Sequence, residues 1–253
     1  TFVIGILYPM ATLGVYTQAD KWSKMGYASL SQIFNTTFLP LLSRFQEEKE
    51  RFVRAMRKSN RVTAFIACPV SGALIVMAAP IFHLLFGSKW DEAIPLFQIL
   101  VARGLLIVLI AQCNTCILAL GKAGRFVGTE VVKDVLMVGA LFASLPFGSV
   151  EALVWGQFFA SLLTYAYVIY ITVRVTFVRL LQYLADLTPY LLLTAAVMAA
   201  ASLLGTLSLH PAMLIAAEVC AGALLYIAVL YAARSVILRE SFAYLLGRFR
   251  RKS

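Results

Sequence analysis

From residue 62 onward the sequence alternates between apolar runs of membrane-spanning length and short polar gaps. The runs cover residues 62–86, 93–120, 127–145, 152–173, 189–207 and 211–233. A helix needs about 20 mostly apolar residues to cross a hydrocarbon layer roughly 30 Å thick. Inside that layer every backbone N–H and C=O must find a partner within the segment or in a closed barrel. No strand-like alternation competes, so the runs read as helices. Residues 1–9 read as the tail of another helix, and 11–44 as a long one that outruns the bilayer. Pro40, Pro69 and Pro80 lie inside runs and are expected to kink them. The chain is 61% hydrophobic and only 13% charged, against about 45–50% and about 25% for a soluble domain. Its mean hydropathy is +0.86. A soluble enzyme is excluded, and the fold class expected is all-α, a polytopic membrane helix bundle.

The net charge of +10 does not mark a nucleic-acid binder, because the basic residues sit in the gaps between apolar runs. Residues 44–61 form an amphipathic basic run holding Lys49, Arg51, Arg54, Arg57, Lys58 and Arg61. Lys122 and Arg125, then Arg174 and Arg179, then the tail from Arg234 fall in alternate gaps on the same side. The opposite gaps hold Lys89 beside Asp91 and Glu92. By the positive-inside rule the basic side is cytoplasmic, and so is the C-terminus. Residues 176–186 read as an amphipathic segment lying on the membrane surface, and 234–253 as a basic interfacial tail. The gaps at 87–91, 146–150 and 206–210 should face outward.

The stretch 13–61 carries the functional signal. Thr17, Asp20, Lys24, Tyr27, Ser31 and Asn35 recur at helical spacing and share one face, while Leu13, Met25, Leu30, Ile33, Phe34 and Phe38 cover the others. A wet stripe in a greasy helix lines something polar within the membrane. Lys21 lies beside this stripe. Arg103 sits about 15 Å into its own run at 1.5 Å per residue, too deep to reach the interface easily. Two readings of these cations stand open. They line a cationic cavity, where an arginine fork and a lysine suit phosphate oxygens. Or they are buried pairs, Asp20 with Lys24 or Arg103 with Asp20. Glu130, Lys133 and Asp134 stand at i, i+3 and i+4, which makes either a self-satisfied ion cluster or a gate or ion-coupling site. Glu218 stands alone in the last run, to be protonated or paired with a further helix.

Cys113 and Cys116 form a C-x-x-C, but inside an apolar run with no second pair or histidine near, so helix packing is the expected role. His83 and His210 lie at the outer ends of runs and carry no assigned role. No nucleophile–base arrangement, no phosphate-cradling glycine loop and no metal-ligand cluster is visible. No catalytic residue, metal or cofactor is expected.

Three segments, LGVYTQADKW, FLPLLSRFQEE and PIFHLLFGSKWDEAIPLFQIL, resemble the polysaccharide-transporter (Wzx-type) branch of the multidrug/oligosaccharidyl-lipid/polysaccharide flippase superfamily, in order and spacing. The resemblance implies a fold of two six-helix lobes with extra C-terminal helices. This chain would be the C-terminal half. Residues 1–173 would form the second lobe with its first helix truncated. Residues 174–253 would hold the surface segment, two added membrane helices and the basic tail. The resemblance further implies a flippase, not an enzyme, moving undecaprenyl-diphosphate-linked oligosaccharide repeat units across the bacterial cytoplasmic membrane for O-antigen, capsule or exopolysaccharide synthesis. Its partners would be that lipid-linked substrate, membrane lipids, an N-terminal lobe, and polymerase and chain-length machinery. Arg103, Lys24, Asp20 and Lys21 would line the cavity. Two alternatives stand beside it. A cation-coupled drug exporter of the same superfamily is disfavoured by the excess of cavity cations. A membrane polymerase or ligase is disfavoured by outer gaps only a few residues long.

Overall fold

A computed structural model describes residues 9–176, 178–203 and 211–232. Eight α-helices run through these residues, with no strand among them. They are α1 (Met10–Ser43), α2 (Lys49–Val76), α3 (Ala78–Phe86), α4 (Ala93–Ala119), α5 (Ala123–Ser144), α6 (Val150–Thr176), α7 (Leu180–Ser202) and α8 (Pro211–Ala232). Single 3-10 turns, Ser88–Trp90 and Leu145–Phe147, sit in two of the gaps. The protein is an all-α polytopic membrane bundle. Five helices are long and apolar enough to cross a bilayer, namely α2, α4, α6, α7 and α8. α1 and α5 miss that mark. α5 carries Glu130, Lys133 and Asp134, and α1 carries Asp20, Lys21, Lys24, Gln32 and Asn35.

α4 is the axis of the bundle. It is apolar on nearly every face, and a helix of that kind has to be buried. α1, α2 and α6 pack along it, α5 packs on α6, α7 lies along α2, and α8 closes on α7 and α3. The buried side chains form two apolar layers. One joins Tyr16, Ala19, Phe82, Phe97, Leu100, Val101, Leu153 and Val154. The other joins Phe34, Phe38, Phe52, Val108, Cys113, Tyr165, Val168 and Tyr183. On α1, α4 and α6 alike, a short stretch of sequence lies between the two layers, and Asp20, Lys24, Arg103, Gln157 and Ser161 fall there.

Three expectations are revised. Residues 62–86 do not form one kinked span: α2 ends at Val76 and α3 begins at Ala78, with the break at Met77 (φ −77°, ψ 3°). Pro80 falls in the first turn of α3, where its missing N–H costs little, while Pro69 stays inside α2. The basic run 44–61 is not a separate element either, because α2 starts at Lys49 and passes through Arg61 without interruption. Finally, the surface segment at 176–186 and the following span merge into α7, with Pro189 inside it. Its early face carries buried Tyr183, Asp186, Leu187 and Tyr190, so it packs on the bundle instead of lying flat. Leu181, 80% exposed, points the other way. α1 runs through Pro40 for 34 residues, about 51 Å at the helical rise. Gly121 ends α4 in the left-handed region (φ 69°), as its place in the GKAGR gap requires. At the far end of α3, His83 Nε2 lies 2.9 Å from Asp91 Oδ1. The expectations for residues 1–8, 206–210, His210 and the 234–253 tail lie outside the described residues.

Candidate functional site

The stretch between the two apolar layers is polar on three helices at once. α1 brings Asp20 and Lys24, flanked by Tyr16 and Tyr27 at the edges of the two layers, α4 brings Arg103, and α6 brings Gln157 and Ser161. Close approach of α1 and α4 sets the geometry. A Cβ built on Gly104 would fall 2.6 Å from Cδ1 of Tyr27, so only glycine admits this crossing. Arg103, the neighbouring residue, is thereby held beside the α1 stripe. Tyr27 lies within electrostatic reach of Arg103, Lys24, Asp20 and Tyr16, and Gln157 faces the Tyr16 hydroxyl.

The two cations differ in how they are satisfied. Lys24 Nζ lies 2.6 Å from Asp20 Oδ2. The lysine side chain is 54% exposed and the aspartate 10%, so the acid is inside and the cation at the opening. Asp20 is therefore engaged by its own helix, not by Arg103. Arg103 makes no ion pair among the described residues. Its polar contact there is Nε donating to Ser161 Oγ at a long 3.4 Å, and Ser161 in turn donates to the Gln157 carbonyl at 2.9 Å. A guanidinium has five N–H donors in a planar fork, so most of its capacity is unused among the described residues. Lys21 is exposed on another face of α1 and is not brought to this layer.

A second polar group lies between α1, α4 and α5 and lines a cavity of about 440 Å³. Thr115 Oγ1 donates to Asn35 Oδ1 at 2.6 Å. Asn114 Nδ2 donates to Glu130 Oε1 at 3.0 Å and its Oδ1 accepts from Thr129 at 3.1 Å. Glu130 is also paired with Lys133 on its own helix. Asp134 is exposed and stands outside this group. The expected three-residue cluster is thus a Glu130–Lys133 pair reinforced from α4.

A third group ties α7 to α2. Asp186, 2% exposed, accepts from Arg57 Nε at 2.7 Å and Nη2 at 3.0 Å, and from Arg61 Nε at 2.6 Å. Elsewhere, Cys113 Sγ lies 3.0 Å from the Tyr183 hydroxyl, which lies 3.1 Å from that of Tyr165. Cys116 faces Gln112 instead, so the two cysteines serve separate packing contacts. Glu218 is buried, and its Oε2 has no hydrogen-bond partner among the described residues.

A family model described as "Polysaccharide biosynthesis protein" matches residues 1–95, which hold the α1 stripe. The chain is 24% identical to the teichuronic acid biosynthesis protein TuaB of Bacillus subtilis, over 94% of this chain and 51% of that protein. It is 26% identical to the succinoglycan biosynthesis transport protein ExoT of Rhizobium meliloti, over 60% and 31%. It is 23% identical to the lipopolysaccharide biosynthesis protein WzxC of Escherichia coli, over 56% and 29%. The chain is thus similar to proteins of polysaccharide biosynthesis and transport. It spans about half the length of TuaB. No solved structure matches it.

Several site residues escape a reading of the sequence. Asn114 and Thr115 lie between Cys113 and Cys116, where the cysteines draw attention, yet two consecutive hydrogen-bonding residues in an apolar run were themselves the signal. Asp186 sits 129 residues from Arg57, and no spacing rule links them. Gln157 and Ser161 are one helical turn apart on α6, a pattern too common to stand out.

Proposed function

We propose that this chain is the C-terminal half of a flippase. Its substrate would be an undecaprenyl-diphosphate-linked oligosaccharide repeat unit, moved from the cytoplasmic to the outer leaflet of the bacterial cytoplasmic membrane. Residues 1–173 serve as the second lobe, and residues 174–253 add helices beyond it. The lobe rocks against an N-terminal partner lobe so that the cavity opens to each side in turn. No covalent chemistry is involved. The C-terminus and the basic gaps lie on the cytoplasmic side, by the distribution of Lys and Arg.

The observation that carries this reading is Arg103. It sits on the central helix, between two apolar layers, and forms no ion pair among the described residues. An intramembrane guanidinium left open to a cavity is costly unless an anion arrives. A diphosphate supplies oxygens that match its fork. The names of TuaB, ExoT and WzxC, all polysaccharide biosynthesis or transport proteins, support a role in moving polysaccharide material.

Arg103→Lys in the full-length transporter tests this. The charge stays and the fork is lost, so polymer export should fall about tenfold or more, the worth of one to two charge-assisted hydrogen bonds. Membrane abundance should not change. Undiminished export would remove the diphosphate from this position.

A further inference from the structure

The Arg103 layer suits a diphosphate, but the cavity between α1, α4 and α5 has a different chemistry. Asn35, Asn114, Thr115, Glu130 and Lys133 converge on it, with the Phe126 ring among its walls. Its one carboxylate and one ammonium are paired with each other, so it carries no net charge and offers no excess cation to a phosphate. It presents amide, hydroxyl, carboxylate and ammonium groups, acceptors and donors together, beside aliphatic walls. Much of that capacity is unspent. Asn35 uses its Oδ1 toward Thr115 and keeps both amide protons. Lys133 has two further N–H donors, and Glu130 has open lone pairs. The volume of about 440 Å³ lies in the range of small-ligand sites, roughly 300–1,000 Å³. Neutral, hydroxyl-bearing rings with apolar C–H faces are the ligand class that uses all of these features at once.

We propose that this cavity is a saccharide subsite, which holds the neutral sugars of the substrate while Arg103 holds its diphosphate. The proposal rests on the function argued above for the identity of the carrier lipid. Asn114 follows Arg103 on α4 by 11 residues, about 16 Å along the helix. A diphosphate group alone therefore cannot span both places, and a polyprenyl tail does not match the polar lining of the second, whereas a short oligosaccharide can bridge them. The subsite accordingly reads sugar, not lipid, and it selects a glycosylated carrier over a spent one.

The test compares two probes on the purified full-length transporter in lipid nanodiscs: undecaprenyl diphosphate alone, and the same lipid carrying a neutral trisaccharide. The unmodified protein should bind the glycosylated lipid about tenfold more tightly, the worth of one to two hydrogen bonds. Asn35→Ala, at an exposed position, and the charge-neutral double change Glu130→Gln with Lys133→Met should each erase most of that preference. Both should leave affinity for the bare lipid within about twofold. Ala111→Phe, which narrows the cavity without removing a polar group, should do the same. Equal binding of the two probes by the unmodified protein would overturn the proposal. So would variants that weaken both probes alike. A sugar preference that survives in Arg103→Ala, with affinity for the bare lipid unchanged, would support the subsite while refuting the diphosphate contact, so the two ideas fail separately.

Discussion

Arg103 and the pair Arg57 and Arg61 all place guanidinium groups on helices of the bundle, in opposite surroundings. At the α2–α7 contact two arginines close on one acid, and both oxygens of Asp186 are taken. The arginine side chains remain 31% and 36% exposed, so their spare donors reach the surface. At the α1–α4–α6 layer one arginine meets no acid among the described residues, and the acid next to it is already held by Lys24. The first arrangement is complete in itself and joins two helices. The second is incomplete among the described residues. The comparison separates charges that hold the fold from charges that wait for a ligand, on the ground of partner count, not residue type.

The largest effect should come from opening the closed group. Asp186→Ala leaves two arginines without their anion, which costs about 3–5 kcal/mol for a broken buried pair. The thermal midpoint of the detergent-solubilised protein should drop and membrane abundance should fall. Replacing all three members by apolar residues, Arg57→Met and Arg61→Met with Asp186→Leu, should recover most of that loss, because no unpaired charge remains. Export should recover with it. If the triple variant is stable but inactive, the α2–α7 group is more than a clamp and the contrast with Arg103 fails.

A smaller effect sharpens the other half of the comparison. Gly104→Ala drives a methyl into the Tyr27 ring and should cost about 1–3 kcal/mol as overpacking. It also pushes α1 away from Arg103. In a Tyr27→Ala background, whose own cavity costs stability, Gly104→Ala should cost much less than it does alone. Stability unaffected by Gly104→Ala would mean that the α1–α4 crossing is looser than the structure has it.

The all-helical membrane class was legible because apolar run length is a local property, and so was the α1 stripe, since helical spacing is local too. The breaks between elements were less so. Proline at 80 suggested a kink within one span, but the break falls at Met77 because a proline is tolerated in a first helical turn. Residues 176–186 looked like a surface helix from their mixed composition. What draws that end of α7 inward is Asp186, and its partners lie more than a hundred residues away. The Asp20–Lys24 pair was one of the readings the sequence left open, since both residues are on one helix. That Arg103 meets Ser161 and no acid among the described residues could not be read, because it depends on three helices meeting. For the same reason Asp134 was grouped with Glu130 and Lys133, though it stands outside the Glu130–Lys133 pair that Asn114 on α4 reinforces.

The central claim is that Arg103 is open to substrate and not a structural partner of Asp20. The direct measurement is polymer export in a deletion strain carrying the full-length protein with Arg103→Ala, Asp20→Ala, or both, at matched membrane abundance. The account predicts that Arg103→Ala abolishes export and that adding Asp20→Ala does not restore it, since no buried acid was left stranded. Recovery of export in the double variant would contradict it and make Arg103 part of the scaffold.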